Sequence, residues 1–138
     1  MSEYVLASLR RLVAQRANQR CEYCLIHEDD AFIPHEPDHV VAVKHRGETV
    51  ETNLAWTCFA CNRAKGSDLS SIDPESNDVV RLFHPRKYQW ELHFHLAPDG
   101  RITPLTNIGR VTESLLKLNR VVLLEIRRLI YRGNRKPK

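Results

Sequence analysis

Apolar positions along the chain change period several times, and each change marks an element. From residue 3 to about residue 17 they recur at helical spacing. Tyr4 or Val5, Leu9, Leu12 and Val13 share one face, with Arg10, Arg11 and Arg16 elsewhere. Ser2 is placed to cap that helix. Residues 25–36 are acidic around a short apolar patch, Ala31-Phe32-Ile33. Residues 38–43 carry the β-branched Val40, Val41 and Val43 and read as a strand. A polar loop covers 44–52, with Gly47 for an unusual turn. Residues 53–57 return as a second strand, in which Leu54 and Trp56 alternate with Ala55. Trp56 reads as core rather than as a base-stacking ring. A helix follows over about 59–67 and ends at Gly66.

Beyond it, residues 68–77 read as a loop with a turn at Asp73-Pro74, and 79–83 as a short strand. Residues 90–96 alternate, with Trp90, Leu92, Phe94 and Leu96 on one face and Glu91, His93 and His95 on the other. After a turn at 97–100, residues 101–105 come back as the partner strand. From about 107 to 131, Ile108, Val111, Leu115, Leu118, Val122, Ile126 and Leu129 form a helical stripe. Thr106 is placed to cap it, and Asn119 to divide it by capping a second helix. No internal repeat or low-complexity segment interrupts this order.

At 138 residues the chain builds one domain with a modest core. No run of about 18 apolar residues is present, so no membrane span is expected. The first residues lack the apolar stretch of a secretory signal, which points to the cytoplasm. Net charge is +4, unevenly spread. Residues 101–138 hold ten Lys/Arg against two Asp/Glu, and the rest eleven against fifteen. A basic final third beside an acidic part suits a polyanionic partner, although such a tail is often only a solvated surface.

All four cysteines fall in two Cys-x-x-Cys knuckles, Cys21/Cys24 and Cys58/Cys61, with 33 residues between them. Two such turns brought together offer four thiolates at the corners of a tetrahedron, which suits structural Zn²⁺. With the ion bound, the site carries a net charge of about −2. A thioredoxin-like pair would use one such turn, and a disulfide framework an oxidising compartment. His27 or His35 could enter the zinc site, but four sulfurs already satisfy the ion. His93 and His95, two apart on a strand face, read as surface more readily than as a metal pair.

Between and just inside the knuckles lie Asp38, His39, Asn53 and Asn62. Phosphodiester hydrolysis needs an activated water, a cation at the phosphate and help for the leaving oxygen. A neutral histidine suits the first task because its ordinary pKa lies near working pH. Neighbouring side chains on a strand face opposite ways, so Asp38 and His39 divide the labour. Asn62 adds a neutral amide oxygen, and one carboxylate with one amide leaves room for waters and phosphate oxygens around Mg²⁺.

The Asp38-His39 pair, Asn53 fourteen positions beyond His39, and Asn62 directly after the last cysteine in CNRAKG resemble the HNH (ββα-metal) nuclease family in its four-cysteine subgroup. The resemblance covers about residues 16–71, with Asn62 in place of the last histidine, an H-N-N version. The order LFHPR, W-x-x-HF, a turn and LLKLNR also resembles the extension of bacterial stand-alone members. The resemblance implies that His39 is the general base, that Asp38 and Asn62 hold a catalytic Mg²⁺ or Mn²⁺, and that Asn53 fixes the loop and the orientation of His39. It implies an α+β fold: a zinc-clamped ββα-metal core, an N-terminal helix, a second small hairpin and C-terminal helices over about 79–132. Arg46, Arg63 and Lys65 are expected near the phosphates of nucleic acid, with double-stranded DNA as the expected partner. Lys44 and His45 share that loop. The alternatives are a zinc-stabilised nucleic-acid-binding module that does not cleave, and a nuclease acting on RNA. The residues leave the oligomeric state open.

Overall fold

The computed structural model describes residues 5–132, with side chains to Ile130. The fold is α+β, with three separate antiparallel strand pairs and five helices among the described residues. Helix α1 (Ala7–Arg16) starts later than its pattern suggests, with Leu6 at the cap position and no side-chain cap. Ser2 and Tyr4 lie outside the described residues. Val13 is fully buried against Leu54 and Trp56, with Val5, Leu9, Ala14 and Ala17 around them. Leu12 is 41% exposed instead, because its direction points away from that contact.

Strand β1 (Glu36–His39) lies two residues earlier than expected and stops at His39, where the valines were to continue it. It pairs with β2 (Leu54–Thr57), with Asp38 opposite Ala55 and His39 opposite Leu54. All four residues of β2 are buried, since α1 and the knuckles cover both of its faces. Val40 donates one further bond to the Asn53 carbonyl, and the chain then turns through a 3₁₀ turn at Val43–His45. Helix α2 (Phe59–Lys65) follows, with Gly66 at its C-cap at φ +53°, as its place in the sequence predicts.

The expected loop at 68–77 contains a strand. Strand β3 (Ser70–Ile72) pairs with β4 (Val79–Arg81). The turn between them is held by buried Asp73, which takes the Glu75 amide, the Ser76 hydroxyl and two bonds from Arg110 of α4 (Asn107–Leu116). The alternating stretch at 90–96 also divides: α3 (Trp90–His93) is one helical turn, and only Phe94–Leu96 forms β5, paired with β6 (Ile102–Pro104). The turn points Leu92 outward at 64% exposure, while Trp90 Nε1 donates to the Tyr23 carbonyl of the first knuckle.

Thr106 caps α4 by accepting from the Gly109 amide. The apolar stripe is not continuous. Lys117 takes a left-handed conformation, and α5 (Val121–Arg132) begins with a new phase. Val122 and Leu129 therefore face solvent, and Leu123 and Ile130 take the core positions. Asn119 marks the break, but its amide bonds both the N–H and the carbonyl of Ile102 rather than serving as a helix cap. The main core gathers Cys21, Cys24, Cys58 and Cys61 with Tyr23, Phe83, Phe94, Ile102, Leu116 and Leu118, so the sulfurs sit inside it rather than at its edge.

His84, just after β4, is 8% exposed. Burial, then the charges of Lys87, Arg81 and Arg86, push its pKa down to about 4. Unfolding restores an ordinary value near 6.5. Between those two pH values the unfolded chain takes up the proton first, so stability falls as pH falls. The full shift corresponds to about 3 kcal/mol, and solvent screening reduces that to about 1–2 kcal/mol. Denaturant unfolding at pH 7 and pH 5 is expected to show a loss that His84→Asn, which has no proton to gain, reduces by that amount.

Candidate active site and metal centre

The first knuckle closes through the Leu25 amide bonding the Cys21 carbonyl, with Leu25 at φ +71°. In the second, Cys58 is the N-cap of α2, its Sγ accepting from the Cys61 amide at 3.4 Å. All four Sγ atoms lie within 4.8 Å of one another and are buried, with Cys24 and Cys58 3.6 Å apart. A tetrahedron with Zn–S bonds of about 2.3 Å has edges of about 3.8 Å, so the cluster fits zinc with little adjustment. Hydrogen bonds from Cys21, Cys24 and Cys61 hold the Cys58 thiol far below its ordinary pKa, while burial pushes Cys24 up. Four buried sulfurs in contact cannot all be thiolates without a cation among them.

Neither accessory histidine joins the sulfurs. His27 Nδ1 accepts from the Asp29 amide, and His35 is buried with Nε2 on the Ile26 carbonyl and its ring 6.4 Å from Trp56. His93 bonds Thr106 at 2.6 Å and packs on Phe83 and Tyr88, while His95 is exposed, so these two do not share a face.

The knuckles fix the strand pair between them. Glu22 accepts from the Trp56 amide and pairs with Arg86. Arg16 reaches the Glu51 and Leu54 carbonyls, and Arg10 lies 5.6 Å over Trp56. The arginines of α1 therefore hold the hairpin.

At the end of β1, His39 is 8% exposed and its Nε2 meets Thr49 Oγ1 at 2.9 Å. Thr49 belongs to the loop that Asn53 holds. The Asn53 side chain accepts from the Val41 amide and donates to the Val41 and Glu48 carbonyls, at 2.9, 3.0 and 2.9 Å. Asn53 is thus connected to His39 through the loop and has no bond to the ring. Asp38 lies 8% exposed, with Lys65 Nζ 3.0 Å from Oδ2. Burial raises the Asp38 pKa above its ordinary value against the pull of Lys65. Asn62, one helical turn before Lys65, donates to Thr57 Oγ1 at 3.4 Å, and Thr57 in turn donates to the Glu36 carbonyl of β1. Lys65 therefore meets Asp38 where α2 crosses β1, and Asn62, on the same helix, reaches Thr57 of the paired strand β2.

Lys65 differs from its expected place. It is 2% exposed and bonds the His39 carbonyl as well as Asp38, so it is withdrawn from any phosphate. Its spacing from Asn62 puts both on one face of α2, a signal that was present in the sequence. Thr49 gave no such signal. Arg46 and Arg63 are exposed, Arg63 stacked 5.1 Å over Phe59. Four of the ten basic residues of the final third are engaged within the protein: Arg110 by Asp73, Arg120 by the Leu116 carbonyl, Arg128 by Glu125, and Arg127 by carbonyls in the core.

Gly47 serves close approach and not positive φ, which falls on Arg46 at +70°. A Cβ on Gly47 would lie 1.6 Å from the Val41 carbonyl oxygen and 2.9 Å from Asn53 Nδ2. Gly47→Ala is expected to lower stability by about 1–3 kcal/mol in thermal unfolding, and to loosen the loop that carries Thr49.

Residues 21–68 match the family model for the HNH endonuclease. Over 150 aligned residues the chain is 28% identical to the Septu protein PtuA of Bacillus mycoides (strain KBAB4), covering 89% of this chain and 21% of that protein. The chain spans about a fifth of the length of this curated relative. No solved structure gives a significant match.

Proposed function

We propose that this chain, which carries an HNH endonuclease domain over residues 21–68, hydrolyses phosphodiester bonds of DNA with His39 as general base. What supports the reading is the meeting of β1 and α2: Asp38 and His39 adjacent on the strand, Lys65 of the helix on Asp38, Asn62 one turn earlier with its amide on Thr57 of β2, and Thr49 on the His39 ring. Mg²⁺ or Mn²⁺ held by Asp38 and Asn62 would supply positive charge at the scissile phosphate and the leaving oxygen. With Nε2 on Thr49, Nδ1 is the nitrogen that takes the proton of the attacking water. The water oxygen bonds phosphorus, the bond to the leaving sugar oxygen breaks, and that oxygen takes a proton from solvent. Asn53 keeps Thr49 in place and so keeps the ring aimed. Lys65 Nζ, 3.0 Å from Asp38 Oδ2, offsets the charge of that carboxylate before the ion binds, leaving Oδ1 for the ion. Exposed Arg46 and Arg63 contact the backbone of double-stranded DNA. Zinc in the four sulfurs holds the two strands against the helix, and its thiolates suit a reducing, cytoplasmic setting. Among the described residues no helix is long and apolar enough to cross a membrane.

The test is incubation with supercoiled plasmid, linear duplex, single-stranded DNA and RNA, with Mg²⁺ or Mn²⁺. Nicked plasmid is the expected product. Binding with no cleavage in either ion would return the non-cleaving module, and cleavage of RNA alone the RNA nuclease.

A further inference from the structure

Arg127 of α5 is 1% exposed, the largest fully buried side chain among the described residues. Its guanidinium donates to the Gly100 and Leu118 carbonyls at 2.6 Å each, to Asn119 Oδ1 at 3.3 Å and to the Cys24 carbonyl at 3.3 Å. Every one of these acceptors is neutral, and no carboxylate pairs with Arg127 among the described residues. Arginine does not shed its proton in proteins. A buried cation without an opposite charge costs several kcal/mol, so a compensating charge is required nearby. The bond to the Cys24 carbonyl places the guanidinium beside the cluster of four sulfurs, which lie within 4.8 Å of one another.

We propose that Arg127 is a positioning residue for the zinc centre, the built-in countercharge of a doubly negative four-thiolate site. The inference rests on the zinc reading of the four sulfurs. Four thiolates around Zn²⁺ leave about two negative charges in the core, and Arg127 balances one of them from beyond the ligands. Its four bonds tie the first knuckle to the turn at Gly100, to the break between α4 and α5, and to α5 itself. Gly100 allows this closeness, since a Cβ there would stand 2.7 Å from the Arg128 amide nitrogen. The C-terminal helices, distant in sequence from the catalytic strands, thereby help retain the ion that holds those strands together.

The full-length protein tests this through zinc release to a chelating dye and through the sulfur-to-metal charge-transfer band of its Co²⁺ form. Arg127→Met keeps an apolar stem and removes the charge. It is expected to release zinc about 10–100-fold faster and to move the cobalt band to lower energy, because the sulfurs lose a neighbouring positive potential. Arg127→Lys restores charge without the planar fork and should return the band to its wild-type position. Ile130→Ala removes packing from the same helix and should lower thermal stability while leaving band and release rate as in wild type. A wild type that binds no zinc overturns both the zinc reading and this inference. One zinc per chain, with Arg127→Met unchanged in both readouts, overturns the inference alone. Should Arg127→Met not fold, Arg127→Lys decides: a wild-type band with release within about threefold supports the role of charge, and a shifted band refutes it.

Discussion

His39→Ala is expected to slow plasmid nicking by about 10²–10⁴-fold, with plasmid affinity and zinc content at wild-type levels. In barrier terms that is about 3–5 kcal/mol. The effect is chemical because the imidazole contributes little to the scaffold. Its backbone pairing with Leu54 does not depend on the side chain, and its one side-chain bond is to Thr49 at the mouth of a loop that Asn53 already secures. His39→Asn separates the two roles, since an amide can still bond Thr49 but cannot take a proton at neutral pH. Both variants are expected to be equally slow. Residual nicking within about tenfold of wild type in either one would remove His39 from the mechanism.

Loss of the zinc site is expected to abolish folding altogether. Structural zinc contributes on the order of 10 kcal/mol, as much as the whole stability of a domain of this size. The sulfurs here lie inside the main core, against Tyr23, Phe83 and Leu116, so their repulsion or exposure cannot be confined to a surface. Cys58→Ser is the cleanest variant, because serine is itself a good N-cap for α2 and only the thiolate is lost. Trp56 and Trp90 both lean on the first knuckle, through the amide bond to Glu22 and the Tyr23 carbonyl, so their fluorescence reports the outcome. Stripping wild type with a chelator should give the same unfolded signal, reversed by added zinc, whereas Cys58→Ser should not recover. A cooperative unfolding transition in the stripped protein would show that the core stands without the ion.

The parts legible in the sequence were those whose chemistry is local. Paired cysteines, the Thr106 cap and Gly66 each act within a few residues, and the order of strand, strand and helix around them follows from spacing. What escaped depends on partners distant in the chain. Ser70–Ile72 is too short and polar to read as a strand, and becomes one because Asp73 is anchored by Arg110, 37 positions away. Trp90–Leu96 alternates like a strand, yet its first half coils because the Trp90 ring must reach Tyr23. Val122 and Leu129 looked like core because one phase was carried through the break at Lys117. Lys65 was expected at a phosphate although its spacing from Asn62 already placed it on the inner face of α2, and Arg127 was one charge among the ten of the basic final third, with nothing local to mark it for a buried acceptor. At the site, residue types pointed to Asp38, His39, Asn53 and Asn62. The mediation of Asn53 through Thr49 depends on loop geometry that no spacing encodes.

The two halves of the sulfur cage stand 34 positions apart at Cys24 and Cys58, with strands β1 and β2 between them, and Arg127 follows 66 positions after Cys61. A chain leaving the ribosome cannot close the cage until the hairpin has been made. It then waits several seconds, at about 5–20 residues per second, before its last helix can dock. During that interval an ion in the cage would be held by its ligands alone. A shortage of zinc would therefore tell on the chain while it is still being made, before its last helix is in place.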